Sequence, residues 1–257
     1  FSVNRFGSVY TLDDRTNLLA GERGVYYTNQ EQEIVVTETN VDTLVFREIT
    51  CNRNGNLCTL TEGKDYTVQT GGTDESWKQY VYTIHKSNFK EEGIYVLTIY
   101  SEDRARNASD NGSKGKRLEF AVDKTAPSIL LSGIEDGGQY REEGREITLD
   151  VEDNLCLLEV KAKINGIPAT YYASEILEAG GRVRLMAGSS HHWQDLQVTA
   201  RDAAGNQTVS GPRRFLITPN LLVQVYMDKP LLYGISGGLI LVGTAGAAGW
   251  MFRKRKY

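Results

Sequence analysis

The sequence contains few residues of the kinds on which enzymes and metalloproteins most often depend. It has three histidines and three cysteines in 257 residues, and we find no HExxH, CxxC, GxSxG, Walker or strand-following GxGxxG motif. His191 and His192 are neighbours, and neighbours on a strand point to opposite faces, so the pair does not suit one metal ion. We therefore expect this chain not to be an enzyme and to hold no catalytic or cofactor-binding residue.

Clustered positive charge is also scarce in most of the chain. The sequence has 29 Lys and Arg against 33 Asp and Glu, and four of the cations lie in the last five residues, RKRKY. Phosphate binding needs clustered cations on a folded surface. An acidic body with one basic tip therefore predicts that nucleic acid is not a partner.

Charge is absent altogether from residues 231–252. A helix of this length spans about 33 Å, close to the roughly 30 Å of a bilayer's hydrocarbon core. Pro230 suits the first turn of such a helix, and the basic residues 253–256 follow at once. The positive-inside rule then places the C-terminus in the cytoplasm and the preceding chain outside. The alternative, a buried core helix, gives no reason for four cations at the end.

A small-residue spacing lies inside this apolar segment. Gly234 and Gly238 form a GxxxG pattern, which lets two membrane helices approach closely. The spacing raises the hypothesis of a homodimer through the spanning helix, although a glycine-rich segment also produces such spacings by chance.

The pattern of residues in the long middle of the chain predicts β-strands. Between residues 24 and 218, short runs rich in Val, Ile, Thr and Tyr recur between clusters of Gly, Asn and Asp, for example EIVVTE, YVYTIH, REITLDVE and DLQVTARD. Regularly spaced strands with turn signals between them predict all-β sandwiches.

An internal repeat divides these strands into two copies. IYVLTIYSEDRARN at 94–107 aligns with WQDLQVTARDAAGN at 193–206. Repetition at roughly 100 residues indicates tandem modules with separate cores. Within the repeat, the Asp and Asn residues suit a turn at a strand end, since both accept hydrogen bonds from nearby backbone N–H groups. The other interpretation is a calcium site with Asp153, Asp202 and Asn206 as oxygen ligands.

Three further sets of residues are candidates for a structural or binding role. FKEEGIYVL at 89–97 has the spacing of a tyrosine corner, in which the Tyr95 hydroxyl bonds back to upstream backbone. Cys51 and Cys58 flank an Asn-Gly turn and would face each other across a hairpin, within reach of a disulfide, although they could also remain thiols. Trp77, Tyr80 and Tyr82 could form a ligand-binding face, or they could be core residues of a sandwich.

The order DKTAPSI, VEDN, KING and ARDAAGN resembles the bacterial immunoglobulin-like (Big-type) repeat domains of Gram-positive cell-surface proteins. The resemblance covers about 125–218 well and 24–124 more loosely. It implies immunoglobulin-like folds with spacer or adhesive roles and no active site. Many such proteins end in a sortase signal, and MDKPLLYG does not match one, so we expect the chain to stay in the membrane.

The expected architecture is two tandem immunoglobulin-like β-sandwich domains followed by one C-terminal transmembrane helix. In chain order we expect the end of an upstream module or a linker (1–23), two immunoglobulin-like domains (24–124 and 125–218), a juxtamembrane linker (219–230), a spanning helix (231–252) and a cytoplasmic tail (253–257).

The expected function is that of a single-pass bacterial cell-surface protein whose modules are adhesive, binding an extracellular protein or glycan, or serve as spacers. The alternative is the C-terminal stalk and anchor of a surface enzyme, such as a glycoside hydrolase or peptidase, whose catalytic domain precedes residue 1.

Overall fold

The computed structural model describes residues 6–13, 18–20, 25–73, 77–114 and 117–227. The chain divides into two compact units. Unit 1 contains the chain up to Pro127 together with two later segments, Asp153–Leu158 and Arg201–Thr208. Unit 2 contains Ser128–Glu152, Glu159–Ala200 and the described chain from Val209 onward.

The described strands of the first half range from two to eleven residues. They are β1 (Val9–Leu12), β2 (Leu19–Ala20), β3 (Tyr26–Thr28), β4 (Ile34–Asn40), β5 (Leu44–Arg53), β6 (Asn56–Thr59), β7 (Tyr66–Gly71), β8 (Lys78–Ile84), β9 (Gly93–Asp103), β10 (Ala108–Asp110) and β11 (Leu118–Val122). A 3-10 turn, Lys86–Phe89, precedes β9, and a short helix, α1 (Asn111–Lys114), follows β10.

These strands form two sheets that enclose the core of unit 1. One sheet has the order β1-β4-β8-β7, and the other has the order β2-β3-β11-β9-β5-β6, with β10 beside β9. In β9 alternate residues are buried, as expected for a strand with one face on a core. Tyr82 and Ile84 of the first sheet belong to the same buried cluster as Tyr95 and Phe120 of the second, so unit 1 is a β-sandwich.

The described strands of the second half follow the same pattern. They are β12 (Ser128–Ser132), β13 (Gly138–Tyr140), β14 (Gly144–Glu152), β15 (Leu157–Ile164), β16 (Ile167–Tyr172), β17 (Arg182–Gly188), β18 (Gln194–Asp202), β19 (Gln207–Val209) and β20 (Arg213–Ile217). A short helix, α2 (Ala173–Glu178), lies between β16 and β17.

Unit 2 also has two sheets with alternating buried residues. Their orders are β12-β14-β17 and β13-β20-β18-β15-β16, with β19 beside β18. Ile147 and Leu149 of the first sheet, and Leu196, Val198 and Phe215 of the second, are buried. The all-β prediction is therefore confirmed, and each unit is a sandwich of two sheets.

Each unit has an early part in each of its two sheets, β1 and β3 in unit 1 and β12 and β13 in unit 2. The first part pairs antiparallel in one sheet, β1 with β4 and β12 with β14. The second part pairs parallel with the last strand of the unit in the other sheet, β3 with β11 and β13 with β20. Each parallel pair ends in a matching backbone bond, Asp123 N to Thr28 O and Thr218 N to Tyr140 O, both 2.9 Å.

The first sandwich begins earlier than the predicted boundary at residue 24. Strand β1 lies in its first sheet, and Tyr10 is 4% exposed. The Tyr10 hydroxyl lies 2.9 Å from Ser101 Oγ and donates to the Ser109 carbonyl at 3.2 Å. The interpretation of 1–23 as an upstream module or linker is therefore wrong for β1, because Tyr10 is a core residue of unit 1.

The predicted anchor lies mostly outside the described residues. Part of the predicted linker 219–230 forms a helix, α3 (Leu221–Met227). The predicted spanning segment 231–252, with Gly234 and Gly238, falls outside the described residues. Among the helices that are described, none is both long and apolar enough to cross a bilayer.

Candidate cation-binding site

The repeated Asp and Asn residues form the same turn in both copies. Asp103 Oδ1 accepts a bond from Asn107 N, and its Oδ2 accepts one from Asn107 Nδ2, both 2.9 Å. Asp202 makes the same two bonds to Asn206, both 2.7 Å. The interpretation of these residues as turn-forming is confirmed, since the carboxylate satisfies donors at a point where the strand ladder stops.

The second turn differs from the first in its surroundings. Asp123 directly follows β11, and Asp153 lies in the connection between β14 and β15. One carboxylate oxygen from each of Asp123, Asp153 and Asp202 lies within 4.8 Å of the other two. We call these three residues the carboxylate cluster, and all three belong to unit 1. Among the described residues, this is the one group with such spacing.

Two oxygens of the carboxylate cluster lack a hydrogen-bond partner. Asp123 Oδ1 accepts a bond from Thr125 N at 3.1 Å, but its Oδ2 is buried and has no partner among the described groups. Asp153 Oδ2 accepts bonds from Leu155 N and Cys156 N, whereas its Oδ1 is buried and likewise unpartnered. Buried polar atoms almost always have partners, so these two need an explanation.

Burial and mutual repulsion make the charged form of this cluster costly. Asp123 and Asp202 are both 0% exposed. Desolvation is the largest cause that raises the pKa of Asp123, and the charges of Asp153 and Asp202 raise it further, whereas the Thr125 N–H and the Asn154 side chain lower it. The resulting pKa is about 6. The pKa of Asp153 is also raised, chiefly by desolvation.

Asn206 contacts the cluster through its amide nitrogen. Its Nδ2 donates to Asp202 Oδ2 at 2.7 Å and to the Asp123 carbonyl at 2.8 Å. Because both acceptors are oxygens, the amide nitrogen must face them. Asp153 and Asp202 come together as predicted, and Asn206 as an oxygen ligand stays a prediction.

Asp123 is the member that sequence reasoning missed. It is the Asp of the DKTAPSI motif, 79 positions before Asp202 in the sequence. No local spacing signals its role, since only the tertiary fold brings the end of β11 to the second turn.

The predicted tyrosine corner is present in unit 1. The Tyr95 hydroxyl donates to the Glu91 carbonyl at 2.7 Å. Gly93 has φ of +144°, a conformation that glycine adopts without strain. Phe89 packs edge-on to the Tyr95 ring at 5.3 Å between centroids. The corner is therefore confirmed.

The three aromatic residues proposed as a ligand face do not share one surface. Tyr80 and Tyr82 are 5% and 0% exposed and belong to the core of unit 1. The Tyr82 hydroxyl donates to Glu38, and the Tyr80 hydroxyl accepts a bond from Leu44 N. Only Trp77 of the three, at 56% exposed, is available to a partner. The shared face is thus a wrong prediction, because strand alternation turns both tyrosines inward.

The two hairpin cysteines lie opposite each other as predicted but remain thiols. Cys51 pairs with Cys58 across β5 and β6, and Asn54 and Gly55 form the turn with φ of 49° and 92°. The Cys58 thiol donates to the Cys51 carbonyl at 3.3 Å, and both cysteines are free. The disulfide is therefore not formed in this structure, since the Cys58 side chain is directed to the backbone.

Comparisons with known proteins identify no family for this chain. No protein-family model and no curated protein matches it, so the resemblance to Big-type repeats stays a prediction. Solved structures with similarity include the fibronectin(III)-like modules of Clostridium thermocellum CbhA, at 13% identity and TM-score 0.34 over 82% of this chain and 93% of that one. Others are a marsupial T cell receptor (9%, TM-score 0.43, 82% and 72%) and the ectodomain of mouse nectin-like molecule 4 (8%, TM-score 0.34, 83% and 65%).

Proposed function

We propose that this chain is a membrane-anchored bacterial surface protein whose two sandwiches act as a spacer that resists force along the chain. The observation that carries the proposal is the parallel pairing of the opening and closing strands in both units. A spacer must keep its folded length when its two ends are pulled apart. These pairs join strands near the two ends of each unit, so they decide whether the unit keeps its folded length under tension.

The direction of load follows from the strand directions. Tension enters each unit through its early strands, β1 to β3 or β12 and β13, and leaves through its closing strand, β11 or β20. Because β3 and β11 run parallel, as do β13 and β20, tension on the two ends slides one strand along its neighbour. The ladder bonds of a pair then share the load, whereas a hairpin pulled at its open end loses its bonds one by one.

The anchoring part of the proposal rests on sequence. Residues 231–252 carry no charge, and the next four residues are Arg253, Lys254, Arg255 and Lys256. This is the pattern of a single spanning helix with a cytoplasmic basic end. A surface spacer needs such an attachment at one end.

The anchoring test uses the full chain and a version that ends at residue 230, both expressed with a secretion signal in Gram-positive bacteria. We expect the full chain to remain in membranes after carbonate extraction and its sandwiches to be cut by protease added outside cells. The shortened chain should appear in the medium. Release of the full chain by carbonate would contradict the anchor, and protection of the sandwiches in intact cells would contradict the orientation.

An adhesive role is the second part of the proposal, and the exposed Trp77 favours it. Aromatic side chains are common anchors at binding surfaces. Binding of the purified full chain to a panel of glycans and matrix proteins tests this role, with Trp77→Ala as the variant and Tyr226→Ala, another exposed aromatic, as the control. Saturable binding that only Trp77→Ala weakens would support adhesion. No binding across the panel would contradict the adhesive role, and only the spacer role would remain. The stalk of a surface enzyme stays a prediction.

A further inference from the structure

We propose that the carboxylate cluster of Asp123, Asp153 and Asp202 binds one calcium ion. The inference is independent of the spacer proposal, because it concerns a site inside unit 1 and not the load on the strands. It starts from the two buried oxygens without partners, Asp123 Oδ2 and Asp153 Oδ1.

The spacing of the three carboxylates suits a shared ion. Calcium binds oxygen ligands at about 2.3–2.6 Å, so two oxygens on one ion lie no more than about 5 Å apart. One oxygen from each of the three residues lies within 4.8 Å of the others. The cluster can therefore close around one cation without rearrangement of the backbone.

The charge of the cluster requires compensation. Three carboxylates this close repel one another, and the effect is stronger where burial removes water. Among the described residues, the ion pairs of Lys, Arg and His involve other carboxylates and none of these three. A divalent cation supplies the missing positive charge and also gives the two unpartnered oxygens a partner.

The remaining contacts hold the carboxylates in place for this role. Backbone N–H groups of Thr125, Leu155 and Cys156 bind one oxygen of Asp123 and of Asp153, which leaves Asp123 Oδ2 and Asp153 Oδ1 available to an ion. Asn206 ties Asp202 to the Asp123 carbonyl. Partners of this kind orient metal ligands in many sites.

The donor set selects calcium over other common ions. All three candidate ligand groups are carboxylates, which disfavours zinc, whose sites in proteins are rich in nitrogen and sulfur. Cys156 lies beside the cluster, but its thiol donates to the Leu157 carbonyl. Magnesium demands near-octahedral geometry and keeps several waters, whereas calcium accepts several carboxylates in flexible geometry.

The turn around Asp103 provides a matched control. Asp103 is buried and makes the same two bonds to Asn107 that Asp202 makes to Asn206. It belongs to no group of three candidate ligands among the described residues. Asp103→Asn should therefore disturb a turn of the same kind without changing calcium affinity.

The experiment measures calcium binding to the purified full-length chain by equilibrium dialysis after removal of metals. We expect one calcium ion per chain. Asp123→Asn and Asp153→Asn should each weaken binding by more than about tenfold, since loss of a ligand should matter at least as much as loss of an outer partner. Asp103→Asn should bind as the unchanged chain does. The melting temperature of the unchanged chain should rise with calcium, and this rise should vanish in Asp123→Asn.

Three results would overturn the inference. The first is no calcium bound by the unchanged chain at millimolar concentration. The second is equal affinity in the unchanged chain and in Asp123→Asn, with folding of both checked by circular dichroism. The third is an equal rise of melting temperature in magnesium and in calcium, which would reject the choice of calcium.

Discussion

Glu38 is a carboxylate that is fully buried in the core of unit 1. Tyr82 Oη donates to its Oε2 at 2.5 Å, and the Ser101 hydroxyl donates to its Oε1. Ser101 Oγ lies 2.9 Å from Tyr10 Oη, which joins β1 to the same network. Burial and the nearby Glu38 raise the pKa of Tyr82 far above its usual value, so Tyr82 stays a hydrogen-bond donor.

Removal of the Tyr82 hydroxyl should destabilise unit 1. Tyr82→Phe keeps the ring in the core but leaves Glu38 Oε2 without its donor, and a buried polar group that loses its partner costs about 1–3 kcal/mol. Urea unfolding measures the change in the free energy of unfolding. Tyr226→Phe is the control, since Tyr226 is exposed on α3. Equal stability of both variants would contradict the role of the network.

The two cysteines of the β5–β6 hairpin should differ in reactivity. Burial, and to a smaller extent the neighbouring Cys58, raises the pKa of the Cys51 thiol to about 12, and Cys51 is 3% exposed whereas Cys58 is exposed. The thiolate is the reactive form. Iodoacetamide at pH 8 should therefore modify Cys58 much faster than Cys51, as measured by mass spectrometry of peptides. Resistance of both to alkylation without a reductant would show a disulfide and contradict the thiol state.

At the scale of elements, the tyrosine corner holds the start of β9. The Tyr95 hydroxyl bonds back across four residues to Glu91, and its ring packs against Phe89 and Phe120. Tyr95→Phe keeps this packing and removes only the hydroxyl. We expect a loss of about 1 kcal/mol in the free energy of unfolding, the usual net value of one hydrogen bond.

The matched substitution is Tyr100→Phe, on the same strand but partly exposed. Urea unfolding of both variants provides the comparison. A loss for Tyr95→Phe no larger than that for Tyr100→Phe would contradict a stabilising corner.

Sequence predicted those elements whose signal is local. The hairpin at Asn54 and Gly55 and the corner at Tyr95 depend on residues within a few positions of one another, and both are present. The burial of Tyr80 and Tyr82 was harder to predict. The alternation of side chains along a strand shows that the two lie on the same face, but it does not show whether that face packs on the core. The start of the first sandwich was missed because β1 pairs with β4, more than twenty residues later.

Prediction of the cation site from sequence is limited in the same way, because its residues are far apart in the chain. Asp202 and Asn206 were found through a repeat, and Asp153 through the VEDN motif at 151–154. Asp123 lies 30 positions before Asp153 in the sequence, and its unpartnered oxygen depends on burial that no local pattern encodes. A sequence cannot tell which end of the Asn206 amide faces its neighbours, and the structure directs the nitrogen to Asp202 and to the Asp123 carbonyl.

At the scale of the whole molecule, the account joins two folded units to an anchor. Each unit has its own buried core and its own parallel pair of opening and closing strands. Force that passes along the chain therefore meets two separate points of resistance in series. The predicted spanning segment 231–252 would transmit that force to the membrane.

The central claim is that the parallel pairs resist this force, and single-molecule pulling on residues 1–227 from both ends tests it most directly. Thr218→Pro removes the N–H that donates to the Tyr140 carbonyl at the end of the β13–β20 pair, whereas Thr218→Val keeps that N–H and removes only the hydroxyl. We expect two unfolding events in the unchanged chain and in Thr218→Val. In Thr218→Pro one event should move to clearly lower force while the other stays unchanged. Equal forces in all three chains would contradict the account.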